Sequence, residues 1–283
     1  MSFTDIFWLI FLLSTIQPLL EQRTLLARRV HALRQLERSR GSRVITLIHR
    51  QENFSFFGLP FARYLDIDDS EQVLRAIELT DRKVPIDLVL HTPGGLVLAA
   101  EQIAQALQRH EAKVTVLVPH YAMSGGTLIA LAADEILLAP SAVLGPVDPQ
   151  VGQYAAASIL AAVARKDVST VKDETLVLAD LSRKAMTQVQ EAVVALLVGH
   201  GMEGKEANNV ARILSDGRWT HDFPINVEMA SRLGLPVSPD LPAPARAIIR
   251  LYPQPRARRP SVEYIPLPYG PQRQQQSGRP LTS

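Results

Sequence analysis

Two short apolar runs rich in β-branched residues, Ile86 to Leu90 and Val114 to Val118, each lead into a glycine-containing corner and then a helical pattern. The corners are His91-Thr92-Pro93-Gly94-Gly95 and Tyr121-Ala122-Met123-Ser124-Gly125-Gly126-Thr127, about thirty residues apart. Strand, helix and strand at this spacing form the unit from which parallel sheets are built. Adjacent parallel strands would bring the two corners side by side at their C-terminal ends, where α/β folds place their sites. Glycine lets the backbone turn sharply there and leaves amide N–H groups unpaired. A serine between two such corners has a nucleophile and backbone donors for an oxyanion, which is what acyl transfer requires.

The same alternation extends on both sides. Val44 to Ile48 reads as a strand. Ser70 to Thr80 reads as a helix capped by Asp68 or Ser70, with Val73, Leu74 and Ile77 on one face. Leu96, Ala99, Ala100, Ile103 and Leu107 form the stripe of the next helix. Thr127 to Ala133 reads as a helix and Glu135 to Leu138 as a strand. The expected class is therefore α/β with mostly parallel pairing. Farther on, Leu176 to Val198 is a long amphipathic helix and Lys205 to Ser215 a shorter one.

Charge divides the chain into parts. The net charge of +2 is the sum of +9 on the flanks (residues 1–43 and 238–283) and −7 on residues 44–237. Basic residues beside a greasy N-terminus fit an anionic membrane surface, and no nucleic-acid-binding signature accompanies them. The absence of cysteine excludes disulfides, thiolate chemistry and cysteine-ligated zinc. Residues 1–20 are expected to be a membrane anchor. Phe3 to Leu20 is almost entirely apolar, starts near Asp5 rather than a basic residue, and offers no small-residue cleavage site. The arginines that follow place the rest of the chain in the cytoplasm. Residues 21–43 read as a basic amphipathic helix striped by Leu25, Leu26, Val30, Leu33 and Leu36, which either lies at the membrane interface or self-pairs. Residues 44–237 form the body. Residues 238–283 hold half of the twenty prolines and read as an extended Pro/Arg-rich tail without a core of its own.

Ser124 needs a proton acceptor. No histidine lies between His120 and His200, and Asp148, in the rigid turn Gly145-Pro146-Val147-Asp148-Pro149, is expected to shape the site. A lysine whose pKa is lowered by burial can serve instead. Lys166 and Lys172 lie in a charged stretch, whereas Lys184 lies in the long helix, where Leu181, Ala185, Gln188 and Ala192 suggest a packing face. The ordinary alternatives are a plain N-cap for Ser124 and a surface position for Lys184.

Thr92-Pro93-Gly94-Gly95, Tyr121 to Gly126 followed by Leu131-Ala132-Ala133-Asp134-Glu135-Ile136, and Gly145 to Pro149 together resemble the ClpP/crotonase superfamily. Within it the chain is most similar to signal-peptide-peptidase-A-like membrane proteases of the serine dehydrogenase proteinase group, over roughly residues 40–237. The resemblance implies a superhelix of β-β-α units, an oligomeric assembly, and no metal or organic cofactor. It implies Ser124 as nucleophile, the amides of Gly95 and Gly125 as oxyanion donors, and Lys184 as base of a Ser/Lys dyad, with Gly94, Gly126 and Asp148 in support. The expected activity is membrane-anchored hydrolysis of peptides or membrane-protein segments, with membrane lipid as a partner. Another acyl hydrolase, a crotonase-like thioester enzyme and a non-catalytic membrane scaffold remain as alternatives. The residues around Ser124 lack the Gly-x-Ser-x-Gly of a hydrolase elbow, since Ala122 holds its first position.

Overall fold

The computed structural model describes residues 3–49, 54–56, 59–61 and 64–252, and for residues 3–6, 9–19, 21, 54–56 and 59–61 the backbone alone. The chain runs α1 (Phe3–Arg40), β1 (Arg43–Ile48), a hairpin of β2 (Phe54–Phe56) and β3 (Leu59–Phe61), α2 (Ile67–Glu78), β4 (Ile86–His91) and α3 (Val97–Gln108). Next come β5 (Val114–Val118), β6 (Tyr121–Ala122), α4 (Gly125–Ala130), β7 (Glu135–Leu138), β8 (Val143–Leu144), a hairpin of β9 (Gln150–Val151) and β10 (Tyr154–Ala155), and α5 (Ala156–Ala164). Then follow α6 (Asp173–Gly199), α7 (Gly204–Ser215), α8 (Val227–Arg232), β11 (Val237–Ser238) and α9 (Ala243–Ile248).

A five-stranded parallel sheet, ordered β1-β4-β5-β7-β11, organises the body. β4 and β5 are buried at every position, as near-continuous apolar strands covered on both faces should be. The register pairs Val89 with Leu117, so β4 and β5 end at the same edge. The corner after each strand therefore opens on the same side of the sheet. The α/β class and the strands expected at 86–90, 114–118 and 135–138 are present. β5, β6 and α4 follow one another as strand, strand and helix. α2 starts earlier than expected. Its cap is Asp66, whose carboxylate accepts from Asp69 N–H while Asp69 accepts from Asp66 N–H. This reciprocal pair outcompetes Asp68 and Ser70 because it satisfies two otherwise free donors.

The N-terminus is one uninterrupted helix. α1 spans 38 residues, about 57 Å at 1.5 Å per residue, with no break at Leu20. Among the described residues no helix is long and apolar enough to cross a membrane. Most side chains of the expected anchor lie outside the described residues. The basic half of α1 docks on the body: Leu36 is fully buried, and Arg40 pairs with buried Asp87 on β4 at 2.5 Å.

The start of the expected tail is folded, which corrects the boundary at residue 238. Ser238 belongs to β11, and α9 buries Ala245 and Ile248 in the main core. Pro244 falls in the first turn of α9, where a missing N–H costs nothing. Leu251 and Tyr252 then seal against α1 and β1. Arg29 Nε donates to Leu251 O at 2.7 Å, its guanidinium lies 4.1 Å from the Tyr252 ring centroid, and Tyr252 Oη meets Thr46 Oγ1 at 3.0 Å. The rest of that tail, 253–283, lies outside the described residues.

Candidate active site

The two corners are laced together by main-chain bonds. Thr92 N–H donates to Tyr121 O at 3.3 Å, and Met123 N–H donates to Thr92 O at 3.0 Å. A third strand of chain at Leu65 closes the far side, donating to Gly94 O at 2.7 Å and accepting from Leu96 N–H at 2.9 Å. Gly94 and Gly95 have φ of 99° and 156°. A Cβ on Gly95 would lie 2.3 Å from Leu65 O, and one on Gly94 would lie 2.7 Å from Ser124 Cβ. Only glycine permits this approach. The bonds to Leu65 run through the neighbours of Gly95, so its own N–H is left outside that ladder.

A buried polar chain holds the first corner in place. Thr92 Oγ1 accepts from Gly94 N–H at 3.1 Å and meets His49 Nδ1 at 2.9 Å, while His49 Nε2 meets Asp69 Oδ2 at 3.0 Å. A carboxylate only accepts, so His49 Nε2 carries a hydrogen, and a neutral ring then offers Nδ1 to the Thr92 hydroxyl. His49 and Thr92 are buried, so each bond is made without competition from water. Thr92 belongs to the first corner motif, but its partner His49 carries no sequence signal, because 43 positions separate the two.

Ser124 adopts φ 50° and ψ −117°, and among the described residues it alone combines a side chain with positive φ. That conformation belongs to the first central position of a type II′ turn, a place for glycine, and costs of order 1–3 kcal/mol for other residues. The turn is closed by Gly126 N–H donating to Met123 O at 2.7 Å. Although Ser124 occupies the N-cap position of α4, its side chain makes no capping hydrogen bond. The plain N-cap alternative therefore fails, and Oγ is left for the cavity beside it. Gly125 N–H, at the first helical position, finds no backbone acceptor among the described residues. Thr127 locks the corner to the following loop: its buried Oγ1 lies 2.8 Å from Ala122 O, 2.9 Å from Gly145 O, and accepts from Gly145 N–H at 3.0 Å.

Ser124, Gly95 and Gly125 line a cavity of about 220 Å³ with apolar walls from Val97, Leu128, Val147 and Val189. Asp148, Gln150 and His221 complete its polar side. Asp148 Oδ1 lies 2.8 Å from His221 Nδ1, and Asp148 Oδ2 accepts from Gln150 Nε2 at 2.8 Å. The hydrogen bond to Asp148 raises the His221 pKa above the ordinary imidazole value, against the opposing effect of burial, with further help from the charges of Asp148 and Asp222. His221 was missed in the sequence, since 73 residues separate it from Asp148.

Lys184 is not among the residues lining this cavity. Its side chain is 66% exposed and its Nζ pairs with Asp180 at 2.6 Å, so the expected inward face is corrected. α6 buries Ala179, Ser182, Val189, Val193, Leu196 and Leu197, a stripe rotated by one residue, about 100°, from the one expected through Leu181, Ala185, Gln188 and Ala192. The β-branched valines and paired leucines win that face over Gln188. Two residues beyond Ser182, Lys184 points the opposite way, toward solvent. Lys166 and Lys172 are also exposed.

Comparison with known proteins places the chain in a family. Two uncharacterized proteins of Methanocaldococcus jannaschii, MJ1495 and MJ0137, are each 51% identical to this chain. The matches cover 95% and 93% of it and 92% of each relative. Among solved structures, a variant of the membrane-bound stomatin-specific protease 1510-N aligns over 63% of this chain and 76% of its own, at 22% identity and a TM-score of 0.44. The model of the ClpP-like SDH-type serine proteinases matches residues 1–279, and the chain belongs to that family.

Proposed function

We propose that this family member is a serine endopeptidase in which Ser124 is the nucleophile and the N–H groups of Gly95 and Gly125 hold the oxyanion. The observation that carries this reading is the strained Ser124 conformation, with its hydroxyl uncapped beside two amides, Gly95 and Gly125, that find no backbone acceptor among the described residues. Ser124 Oγ attacks the scissile carbonyl as its proton passes to a base, and the carbonyl π electrons move onto oxygen between the two N–H donors. Collapse expels the amine, which takes the proton from the base and leaves an acyl-enzyme. Water then repeats the sequence and releases the carboxylic acid and free serine. The apolar walls at Val97, Leu128, Val147 and Val189 favour an apolar side chain next to the scissile bond. Peptides and apolar segments of membrane proteins are therefore the substrate class.

In the Ser/Lys form of this reading the base is Lys184, whose Nζ would have to leave Asp180 and turn into the cavity. The groups already there are His221 and Asp148.

Attachment to a membrane surface through α1, with the body on the cytoplasmic side, completes the reading. Exposed Phe7, Trp8 and Leu20 precede the arginine-rich turns, as in interfacial helices that bury apolar residues and face anionic headgroups with basic ones. Exposed Tyr154, Val168, Val177 and Leu181 lie along α5 and α6 and their approaches, and support a homo-oligomer.

The test is labelling with a fluorophosphonate probe alongside hydrolysis of an internally quenched apolar peptide. Wild-type protein reacts with both and Ser124→Ala with neither. Peptide turnover by Ser124→Ala removes the serine assignment.

A further inference from the structure

We propose that His221, held by Asp148, is the base that takes the Ser124 proton, giving a nucleophile–carboxylate–histidine set in the chain order Ser124, Asp148, His221. This rests on the serine-peptidase reading above and supplies its missing group. Among the described residues, Tyr64, Asp148 and His221 are the titratable side chains lining the cavity with Ser124, and no lysine or arginine lines it. Ser124 and His221 thus face one shared cavity, across which the proton passes directly or through one water.

The placement of the pair is built into the fold. Asp148 is 2% exposed, and the loop carrying it is fixed by Val147 N–H to Leu214 O at 2.8 Å and by Ala156 N–H to Pro149 O at 2.9 Å. The same loop begins at Gly145, which Thr127 ties to the first turn of α4, next to Ser124. Nucleophile and carboxylate therefore belong to one hydrogen-bonded unit. Asp148 can only accept, so its bond fixes the hydrogen on His221 Nδ1 and leaves the Nε2 lone pair as the acceptor. Asp148 is a positioning residue, and it also stabilises the imidazolium formed when Nε2 takes the proton. Gln150 holds the second carboxylate oxygen, which keeps Asp148 from rotating away.

The proton path is closed. Nε2 accepts the Ser124 hydrogen as the Oγ–C bond forms, returns it to the leaving amine nitrogen as the C–N bond breaks, accepts one from the attacking water, and returns that to Oγ.

The pH dependence has a definite sign. Protonated His221 cannot act as base, so activity is low in acid and rises as pH passes through the His221 pKa. Asp148, chiefly through its hydrogen bond, and Asp222 hold that value above the ordinary imidazole range. Asp148→Asn removes the main cause and moves the rise to lower pH, while cutting kcat at pH 7 by at least about tenfold.

The experiment compares kcat/KM of the full chain for one quenched peptide in Ser124→Ala, His221→Ala, His221→Gln, Asp148→Asn and Lys184→Ala. Thermal melts confirm that each variant is folded. The expected result is loss of activity in Ser124→Ala and a loss of about 10²–10⁴-fold in both His221 variants. Added imidazole partly restores His221→Ala, and Lys184→Ala stays within about threefold of wild type. Activity within threefold of wild type in folded His221→Ala, or loss in Lys184→Ala as deep as in Ser124→Ala, overturns the histidine assignment while leaving the serine reading intact. An active Ser124→Ala instead removes the serine reading itself.

Discussion

Replacing Ser124 by glycine should stabilise the protein while abolishing its activity. The backbone at Ser124 sits at φ 50° and ψ −117°, where a Cβ costs about 1–3 kcal/mol and glycine is unstrained. Two effects oppose the gain. Glycine adds conformational freedom to the unfolded chain, worth about 0.4–1 kcal/mol. Loss of a half-buried Cβ forfeits about 0.4 kcal/mol of apolar burial, half of a fully buried methylene. The proper reference is Ser124→Ala, because both variants lack the hydroxyl and only alanine keeps the Cβ. Ser124→Gly should then be more stable than Ser124→Ala by about 1 kcal/mol, near 2–4 °C in Tm for a chain of this size. Denaturant titration measures the free energy and calorimetry the midpoint, with both variants inactive toward the quenched peptide. If Ser124→Gly proves no more stable than Ser124→Ala, the corner is relaxed, and its strain cannot be a feature held for catalysis.

Two further outcomes follow from the same structure. Thr92→Val keeps the shape of the side chain but leaves His49 Nδ1 and Gly94 N–H without their partner in a buried setting; denaturant titration should show a loss of about 2–4 kcal/mol, with kcat falling as the Gly95 donor shifts, whereas Thr92→Ser should retain most of both. Full-length protein should float with anionic vesicles and a chain lacking residues 1–20 should not, with partial release in high salt because arginines contribute alongside the apolar residues; equal flotation of both forms would remove the N-terminal attachment.

The parts of the fold that the sequence announced are those fixed by local periodicity. β4, β5 and β7 are β-branched or aliphatic runs between polar corners, and they lie where those runs lie. α6 was legible in length but not in phase. Its period follows from apolar spacing, yet Leu181 and Val189 compete for the buried stripe, and only packing against α5 and α7 settles which side turns inward. β11 is two residues long and is recruited by pairing with Ile136 and Leu137, so no pattern of its own marks it. The cap of α2 was obscured by three aspartates in four residues, Asp66, Asp68 and Asp69, of which only geometry selects one.

The site divides along the same line, and the reason is chemical. A nucleophile at a strained turn and an oxyanion hole of backbone amides are properties of main-chain conformation. Such conformations must be written with glycine where a Cβ would strike Leu65 or Ser124, so the two corners are visible in the sequence. A base needs one lone pair at one point in space, and any element that reaches the cavity can deliver it. Asp148 and His221 arrive from segments 73 residues apart and meet through a side-chain bond that constrains neither backbone. The corners can thus be shared by chains that draw the proton acceptor from different elements, a lysine on one helix or a histidine beyond the next. Glycine patterns identify where acyl chemistry takes place, and the three-dimensional contacts around Asp148 decide which side chain moves the proton.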